Sequence, residues 1–472
     1  MKKLHIILPI LLLALFSACE DYVDIKPKGQ TIVESLADID ALLQAGNSLS
    51  GGSGNSDVIS ILSDNVQVVD EDLDFLASNS LTRPLKSMYL LDDVFYQSSE
   101  LDESWENHYD VVGSCNHILN SLEELSGDEA LIAQYKAEAL VHRAHAYWRL
   151  VNIYGVHYGE AKANEEGSGI PLLTQYGNTE ESLMRASVND VYNQIVGDLE
   201  EAIPALLSGR PNISRINTSA AEALMARVQL HKGNYALALE YAEKALAANS
   251  NLYNYNFIPP IPFPPGYALL PRTSYNPEFV LFKHSNMPLV YNGKGIVPPY
   301  ACGLGMFSDE LAALYTDKIN DLRISKVAEI VGDKYAIGYN MPVYFPPIGI
   351  TVPELLLIKA EALARDVSRW GEAMAEVNTL RANRFATGSA FELSASTQEE
   401  AIQHVINERR REFHITGMRF FDIKRLNALH NADISLTRKD KTWNANSINW
   451  AIPIGEKMII TGKGELTQNP RE

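Results

Sequence analysis

The chain has 472 residues, which at about 150 residues per domain allows roughly three domains or one large elaborated one. Hydrophobic residues at 46% and charged residues at 21% match ordinary globular usage and exclude a disordered or collagen-like chain. With 59 acidic against 40 basic residues the net charge is −19, so there is no basic surplus for nucleic acid, and three cysteines exclude a disulfide scaffold.

The amino terminus reads as a processing signal. Met1-Lys2-Lys3 is a basic start, and the apolar run from Leu4 to Phe16 is too short to span a bilayer, so residues 1–18 are expected to be a signal peptide. Phe16-Ser17-Ala18-Cys19 resembles a bacterial lipobox, with Phe16 where leucine is usual and Leu15 one step further out. Cys19 is the expected lipidation site, anchoring an exported protein by lipid alone. Cys115 and Cys302 remain, and sequence leaves their pairing open.

Residues 20–30 read as a polar tether and 46–57 as a Gly/Ser loop. Residues 58–101 mix apolar runs with acidic clusters and break the helical pattern. From Ser104, the residues Trp105, Tyr109, Val112, Ile118 and Leu122 keep helical spacing, and a second helix runs from about Leu131 to Tyr154, stopped by Gly155. Asn189–Leu207 is amphipathic through Tyr192, Ile195, Leu199 and Ile203. Ser219–Lys232, the turn Gly233-Asn234, and Tyr235–Ala248 match a tetratricopeptide unit, with Gly233 for the turn and Ala238 and Ala245 where helices approach closely. The unit's closing proline is replaced by Ser250. Residues 251–350 hold most of the prolines and are expected to be a long irregular excursion. A weaker copy of the repeat spans Val352–Asp366 and Arg369–Arg384, with Trp370 and Ala373 at the Tyr235 and Ala238 positions.

These patterns predict a mainly α fold: tetratricopeptide-like helical hairpins forming one α-superhelical body with long irregular loop excursions. Residues 19–472 are expected to form one domain. Its helical repeats lie at about 104–155, 187–248 and 352–385, its loop-rich segments at about 58–101 and 251–350, and its carboxy-terminal segment at about 397–472.

Signatures of phosphate binding, serine hydrolysis and zinc binding are absent. Glu138, His142 and His145 share a helix face, with His108 and His117 on the preceding helix, and core packing outweighs a metal site there. Asp70, Asp72 and Asp74 alternate like calcium ligands, but Phe75 and Leu81 stand where an EF-hand needs glycine and glutamate, leaving only a weak calcium candidate. The strongest local pattern runs from Ile406 to Arg425. There Glu408 and Glu412 share a helical face, and Arg409, Arg419, Asp422 and Arg425 have the chemistry for guanidinium–carboxylate pairs. Arginine cannot cycle a proton, so a lock between helices outweighs acid–base chemistry.

That segment closely resembles the carboxy-terminal signature of the SusD/RagB family of Bacteroidetes outer-membrane lipoproteins, with Thr416 where the family's second glutamate usually stands. Other pieces agree in order: Ala144–Leu150 through Tyr154-Gly155, Val191-Tyr192 with Ile195 and Asp198-Leu199, Leu357–Ala364, Ile452-Pro453-Ile454, and Gln468-Asn469-Pro470. The resemblance covers the whole mature chain. It implies a non-enzymatic, cofactor-free, surface-exposed lipoprotein of the outer membrane. Such a protein captures oligosaccharides and delivers them to a SusC-like TonB-dependent transporter. Peptide capture, as in RagB-like members, is the alternative, ahead of a surface glycosidase or a ligand-free scaffold. Ligand-facing loops in such a protein carry aromatic rings that stack on sugars. Trp105, Trp148, Trp370 and Trp450 read as core, and Trp443, in a polar stretch, as free. The candidate ligand residues are therefore Tyr89, Tyr96, Tyr267, Tyr275, Tyr291, Tyr300 and Trp443, with Asn79, Arg83 and Asn292 as polar partners.

Overall fold

The computed structural model describes residues 33–44, 49, 58–77, 83–177, 181–258, 276–283, 306–331, 334–336, 348–414 and 416–472. The chain is mainly helical. The first half of the body contains α1 (Leu36–Gln44), two short helices α2 (Asp70–Ala77) and α3 (Arg83–Tyr89), and two long ones, α4 (Glu103–Glu124) and α5 (Glu129–Tyr154). It continues through α6 (Val188–Ala202), α7 (Thr218–Lys232) and α8 (Tyr235–Ala248). After a short α9 (Asp309–Leu314), the second half is built from α10 (Val352–Arg365), α11 (Ala373–Arg381), α12 (Gln398–Glu412), α13 (Met418–His430) and a terminal α14 (Glu456–Thr461).

The packing follows chain order. Helix α4 lies on α5, α5 on α6, α7 on α8, α8 on α10, and α10 on both α11 and α12. Helix α5 is capped by the Asp128 carboxylate, which accepts from Ala130 N and Leu131 N, and nearly every residue from Ala137 to Tyr154 is buried. A helix buried all round is the centre of a body rather than its surface. Trp148 fills the space between α5, α7 and α13, with the Arg227 guanidinium 4.8 Å above its ring and Phe421 at 5.1 Å edge-on.

The α7–α8 hairpin turns where the sequence places its turn. Gly233 adopts φ +79°, a left-handed cap that closes α7 through hydrogen bonds to Gln229 O and Leu230 O. The buried stripe of α8 is only alanine, at 238, 242 and 245, so its backbone lies close to α7 and α10. Two predicted helices are shorter than their patterns. Helix α6 yields to a 3-10 turn at Ile203–Ala205 because Pro204 has no N–H to give and crowds the preceding turn. The Arg369–Arg384 segment opens with a 3-10 turn at Trp370–Glu372, around Gly371, before α11 begins.

The two non-helical stretches are more ordered than their composition suggests. Within 58–101 lie α2 and α3. Within 251–350, β2 (Phe279–Leu281) pairs antiparallel with β6 (Ile350–Thr351), which leads directly into α10. A four-stranded antiparallel sheet joins the two stretches: β1 (Val66–Gln67), β3 (Met306–Phe307), β5 (Lys334–Ala336) and β4 (Glu329–Val331), in that spatial order. A last hairpin pairs β7 (Leu436–Arg438) with β8 (Lys441–Trp443).

Because the buried positions of α8 are all alanine, Ala238→Leu forces extra volume into a closed contact. It is expected to destabilise the fold by about 1–3 kcal/mol, read from urea denaturation, without changing the helical content of the folded protein.

Candidate functional site

The described parts of segments 58–101 and 251–350 are tied to the body by α12 and α13. One turn apart on α12, Glu408 and Glu412 point to the same side. Glu408 accepts from Arg323 Nη1 at 2.7 Å, Arg381 Nη1 at 2.9 Å and Arg411 Nη2 at 2.5 Å. Glu412 takes Arg384 at 2.8 Å and Arg323 at 3.0 Å, and the same Arg384 reaches Glu278 at 2.8 Å. Arg323 is also gripped by Asp321 through two contacts of 2.7 and 2.9 Å. Glu278, Asp321 and Arg323 all belong to the 251–350 excursion, so two of its described stretches are clamped to α12, the first through Arg384 and the second through Arg323.

The earlier excursion has its own clamp. Arg419, on α13, forms a two-point contact with Asp64 at 2.7 Å on each arm, and Arg410 Nε donates to Asn65 Oδ1 at 2.9 Å. Arg438 Nη2 donates to the carbonyls of Ser63 and Val66 at 2.7 and 3.0 Å. Ser308 joins the excursions: its hydroxyl donates to Asp64 O at 2.6 Å and its amide to Asn65 O at 2.9 Å. Beneath both, Arg425 bridges Asp422 (2.8 Å) and Glu361 of α10 (2.6 and 2.7 Å), while Arg409 holds the other face of Asp422 at 3.0 and 3.1 Å. Thr416, at the family's glutamate position, caps the turn between α12 and α13, its hydroxyl donating to Phe413 O at 3.1 Å.

Several candidate ligand residues face the protein itself. Tyr89 is buried, its hydroxyl accepting from Val68 N at 3.1 Å and its ring covered by Arg438 at 4.6 Å. Tyr96 is buried as well. Trp443 is 3% exposed, packed on Phe95 at 6.4 Å and edge-on to Trp450 at 5.5 Å. Its polar neighbours misled the reading, because alternate residues of a strand face opposite sides and Trp443 is the inward one of β8. None of these three rings presents a face to a ligand. Arg83 braces its own segment, pairing with Glu100 (Nε to Oε1, 2.6 Å) and donating to Phe95 O at 2.9 Å.

The acidic trio does not converge. Asp70, Asp72 and Asp74 lie along α2, where two residues' separation turns a side chain to nearly the opposite side. Asp70 pairs with Lys439 at 2.9 Å and Asp74 with Lys86 at 3.8 Å. On α5, Glu138 binds Arg215 at 2.6 and 2.7 Å, His142 Nδ1 meets Lys283 Nζ at 2.5 Å, and His145 Nε2 contacts Ile348 O at 3.2 Å. Burial drives the Lys283 ammonium down to about 7. Burial also pushes the Cys115 thiol up to about 12, so it is an unreactive core residue. The residues Cys19, Cys302, Asn79, Tyr267, Tyr275, Tyr291, Asn292 and Tyr300 lie outside the described residues, as do the signal segment and most of the Gly/Ser loop.

Residues 21–230 match a SusD-like family model described as starch-binding associating with outer membrane, and residues 352–470 match the SusD family model. The chain belongs to the SusD/RagB family. Among curated relatives, SusD-like protein P2 of Formosa agariphila is 23% identical over 371 residues, 68% of this chain and 71% of that protein. A SusD superfamily protein of Bacteroides thetaiotaomicron shares the fold with a TM-score of 0.72 at 19% identity, covering 93% of this chain and 100% of the other. A laminarin-binding SusD-like protein aligns with a TM-score of 0.65 at 18% identity, over 93% of this chain and 100% of its own. The family is associated with the outer membrane, and among the described residues no helix is long and apolar enough to cross a bilayer.

Burial alone would raise the carboxyls of Glu361 and Glu408. The guanidiniums of Arg425 and Arg365 around the first, and of Arg323, Arg411 and Arg381 around the second, hold both far below the usual carboxylate range. A carboxyl whose folded pKa lies below its unfolded value of 4.5 adds stability above that pH and loses it as pH falls. Stability to urea, followed by circular dichroism, is therefore expected to decline as pH drops below about 4.5. Glu361→Gln is expected to flatten that decline and to cost about 3–5 kcal/mol at neutral pH, because Arg425 loses a buried partner. An unfolding midpoint indifferent to acid would contradict the network's role.

Proposed function

We propose that this SusD/RagB-family protein is a surface-exposed lipoprotein that captures oligosaccharides and delivers them to a SusC-like TonB-dependent transporter, without catalysing a reaction. The observation that carries the reading is the match over residues 21–230 to a starch-binding, outer-membrane-associating family. The laminarin-binding neighbour, which shares the fold across 93% of this chain, supports a glycan as the ligand class. In this reading residues 1–18 are removed, Cys19 carries the lipid, and residues 19–472 work as one domain.

The physical mechanism is pre-organisation. A sugar ring has an apolar C–H face and a polar rim, so it gains from a flat aromatic surface backed by fixed hydrogen-bonding groups. A platform that is already held in place loses little entropy when the ligand arrives. The ion pairs made by α12 and α13 serve that end, since they tie described stretches of both excursions to the helical body. Tyr267, Tyr275, Tyr291 and Tyr300 are the proposed platform residues, with Asn79 and Asn292 as hydrogen-bonding partners. Release into a transporter requires only modest affinity, and stacking without covalent chemistry provides it.

Calorimetric titration against neutral oligosaccharides, with a peptide panel alongside, tests the ligand class. Binding of at least one glycan, and no release of reducing ends on prolonged incubation, is expected. Binding of peptides with silence from every glycan would replace the reading with peptide capture. Replacing a stacking tyrosine, as in Tyr300→Ala, is expected to weaken glycan binding roughly tenfold. For the anchor, Cys19→Ala is expected to shift the protein from the membrane fraction to the soluble fraction, and retention in membranes would remove the lipid from the account.

A further inference from the structure

A cleft of about 680 Å³ opens between α4, residues 173–177 with 181–183, and the residues just after α14. None of the candidate ligand residues named above lines it. Tyr176 is 40% exposed and its ring lies flat against His117, with centroids 4.2 Å apart and planes 17° from parallel. One face of the tyrosine is thus braced by a second flat ring. Burial lowers the His117 pKa, so that backing is neutral at physiological pH.

The walls are fixed before any ligand arrives. On one side, Tyr109 donates to Pro171 O at 2.8 Å and Asn116 donates to Leu173 O at 2.8 Å, both from α4. On the other, Glu465 accepts from Leu183 N at 2.8 Å and Ser182 Oγ at 3.1 Å, pinning the loop to the carboxy-terminal segment. Glu181 accepts from Thr174 N at 2.7 Å across the base of the loop. Each carboxylate has further lone pairs for ligand hydroxyls. On α4, Gly113 lines the floor of the cleft, and a Cβ added there would meet nothing within 4 Å. Glycine mid-helix is unfavourable, and here no packing contact requires it.

We infer that this cleft is a second binding site, taking a neutral oligosaccharide that stacks on Tyr176 and hydrogen-bonds to Glu181 and Glu465. Its volume lies within the usual range of small-ligand sites and holds about two or three pyranose rings. The lining carries two carboxylates, Glu181 and Glu465, against one ammonium, Lys463, which disfavours an anionic glycan. The inference rests on the glycan-capture reading for its ligand class but not for its location.

Calorimetric titration of the full mature chain with neutral malto-, laminari-, xylo- and manno-trisaccharides tests it. Tyr176→Ala removes the platform. Gly113→Leu fills the floor at an open helical position that favours folding, and Gly197→Leu, at an equally open helical position outside the cleft, controls for the substitution itself. Wild-type protein and Gly197→Leu are expected to show one more bound glycan per chain than either cleft variant, or a cleft-site affinity roughly tenfold higher or more. In the same samples, hydroxyl-radical labelling of Tyr176 is expected to fall when the trisaccharide is saturating. If wild type binds a trisaccharide while both cleft variants keep its stoichiometry and affinity, this inference fails and glycan capture stands. If wild type binds none of them, the inference fails along with the reading beneath it.

Discussion

Taking a guanidinium out of water costs several kcal/mol unless a carboxylate meets it, and Arg323, Arg384, Arg409 and Arg425 are all buried in this chain. Each has a partner from another element: Arg323 meets Glu408 and Glu412 of α12, Arg384 meets Glu278 of one excursion, Arg409 meets Asp422 of α13, and Arg425 meets Glu361 of α10. Arg419 adds Asp64 from the other excursion. An excursion that left its seat would strand a charge in the interior. The penalty for such misplacement, more than the strength of any one pair, is what holds these stretches to the helical body. Apolar contacts of similar volume can stabilise as much, but they lack the planar two-point geometry that fixes orientation.

This division of labour accounts for how a mainly helical protein would carry the proposed function on its least regular segments. Helices α5, α7, α10 and α13 are buried on most of their surface and are occupied by packing. The excursions have short strands, and β1 and β3 are only two residues long, so sheet pairing alone cannot hold them. Their rigidity is supplied by side chains of α12 and α13. A loop with ordered roots can present aromatic rings in a fixed arrangement while its outer part remains free to differ between relatives.

The sequence made some of this legible and hid the rest for identifiable reasons. The α7–α8 hairpin could be read because helix period, a turn glycine and small residues at the contact are local signals. The pairing of Arg425 with Asp422 was legible as well, since three residues bring them together on one turn of α13. The pairing of Arg419 with Asp64 was not, because 355 residues separate them and no local spacing encodes such a contact. Trp443 was misread because the polarity of its neighbours describes the opposite side of its strand. Tyr176 was passed over because a single exposed ring on a loop has no periodicity. Only its seat on His117 and the pinned loop around it set it apart, and both are tertiary facts.

Charge partition sharpens the ligand class. Among the described residues, more arginines and lysines than carboxylates are buried, so the outer surface is more acidic than the formal charge of −19 suggests. Most of the buried arginines are committed to internal carboxylates and do not face a polyanion. An acidic exterior lowers the local concentration of sulfated or uronic glycans and leaves neutral ones unaffected. The Tyr176 cleft, with its two carboxylates and one ammonium, repeats this bias at short range, where salt screens it least. Buried arginines therefore act twice: they seat the loops, and by their absence from the surface they favour an uncharged sugar in the proposed glycan capture.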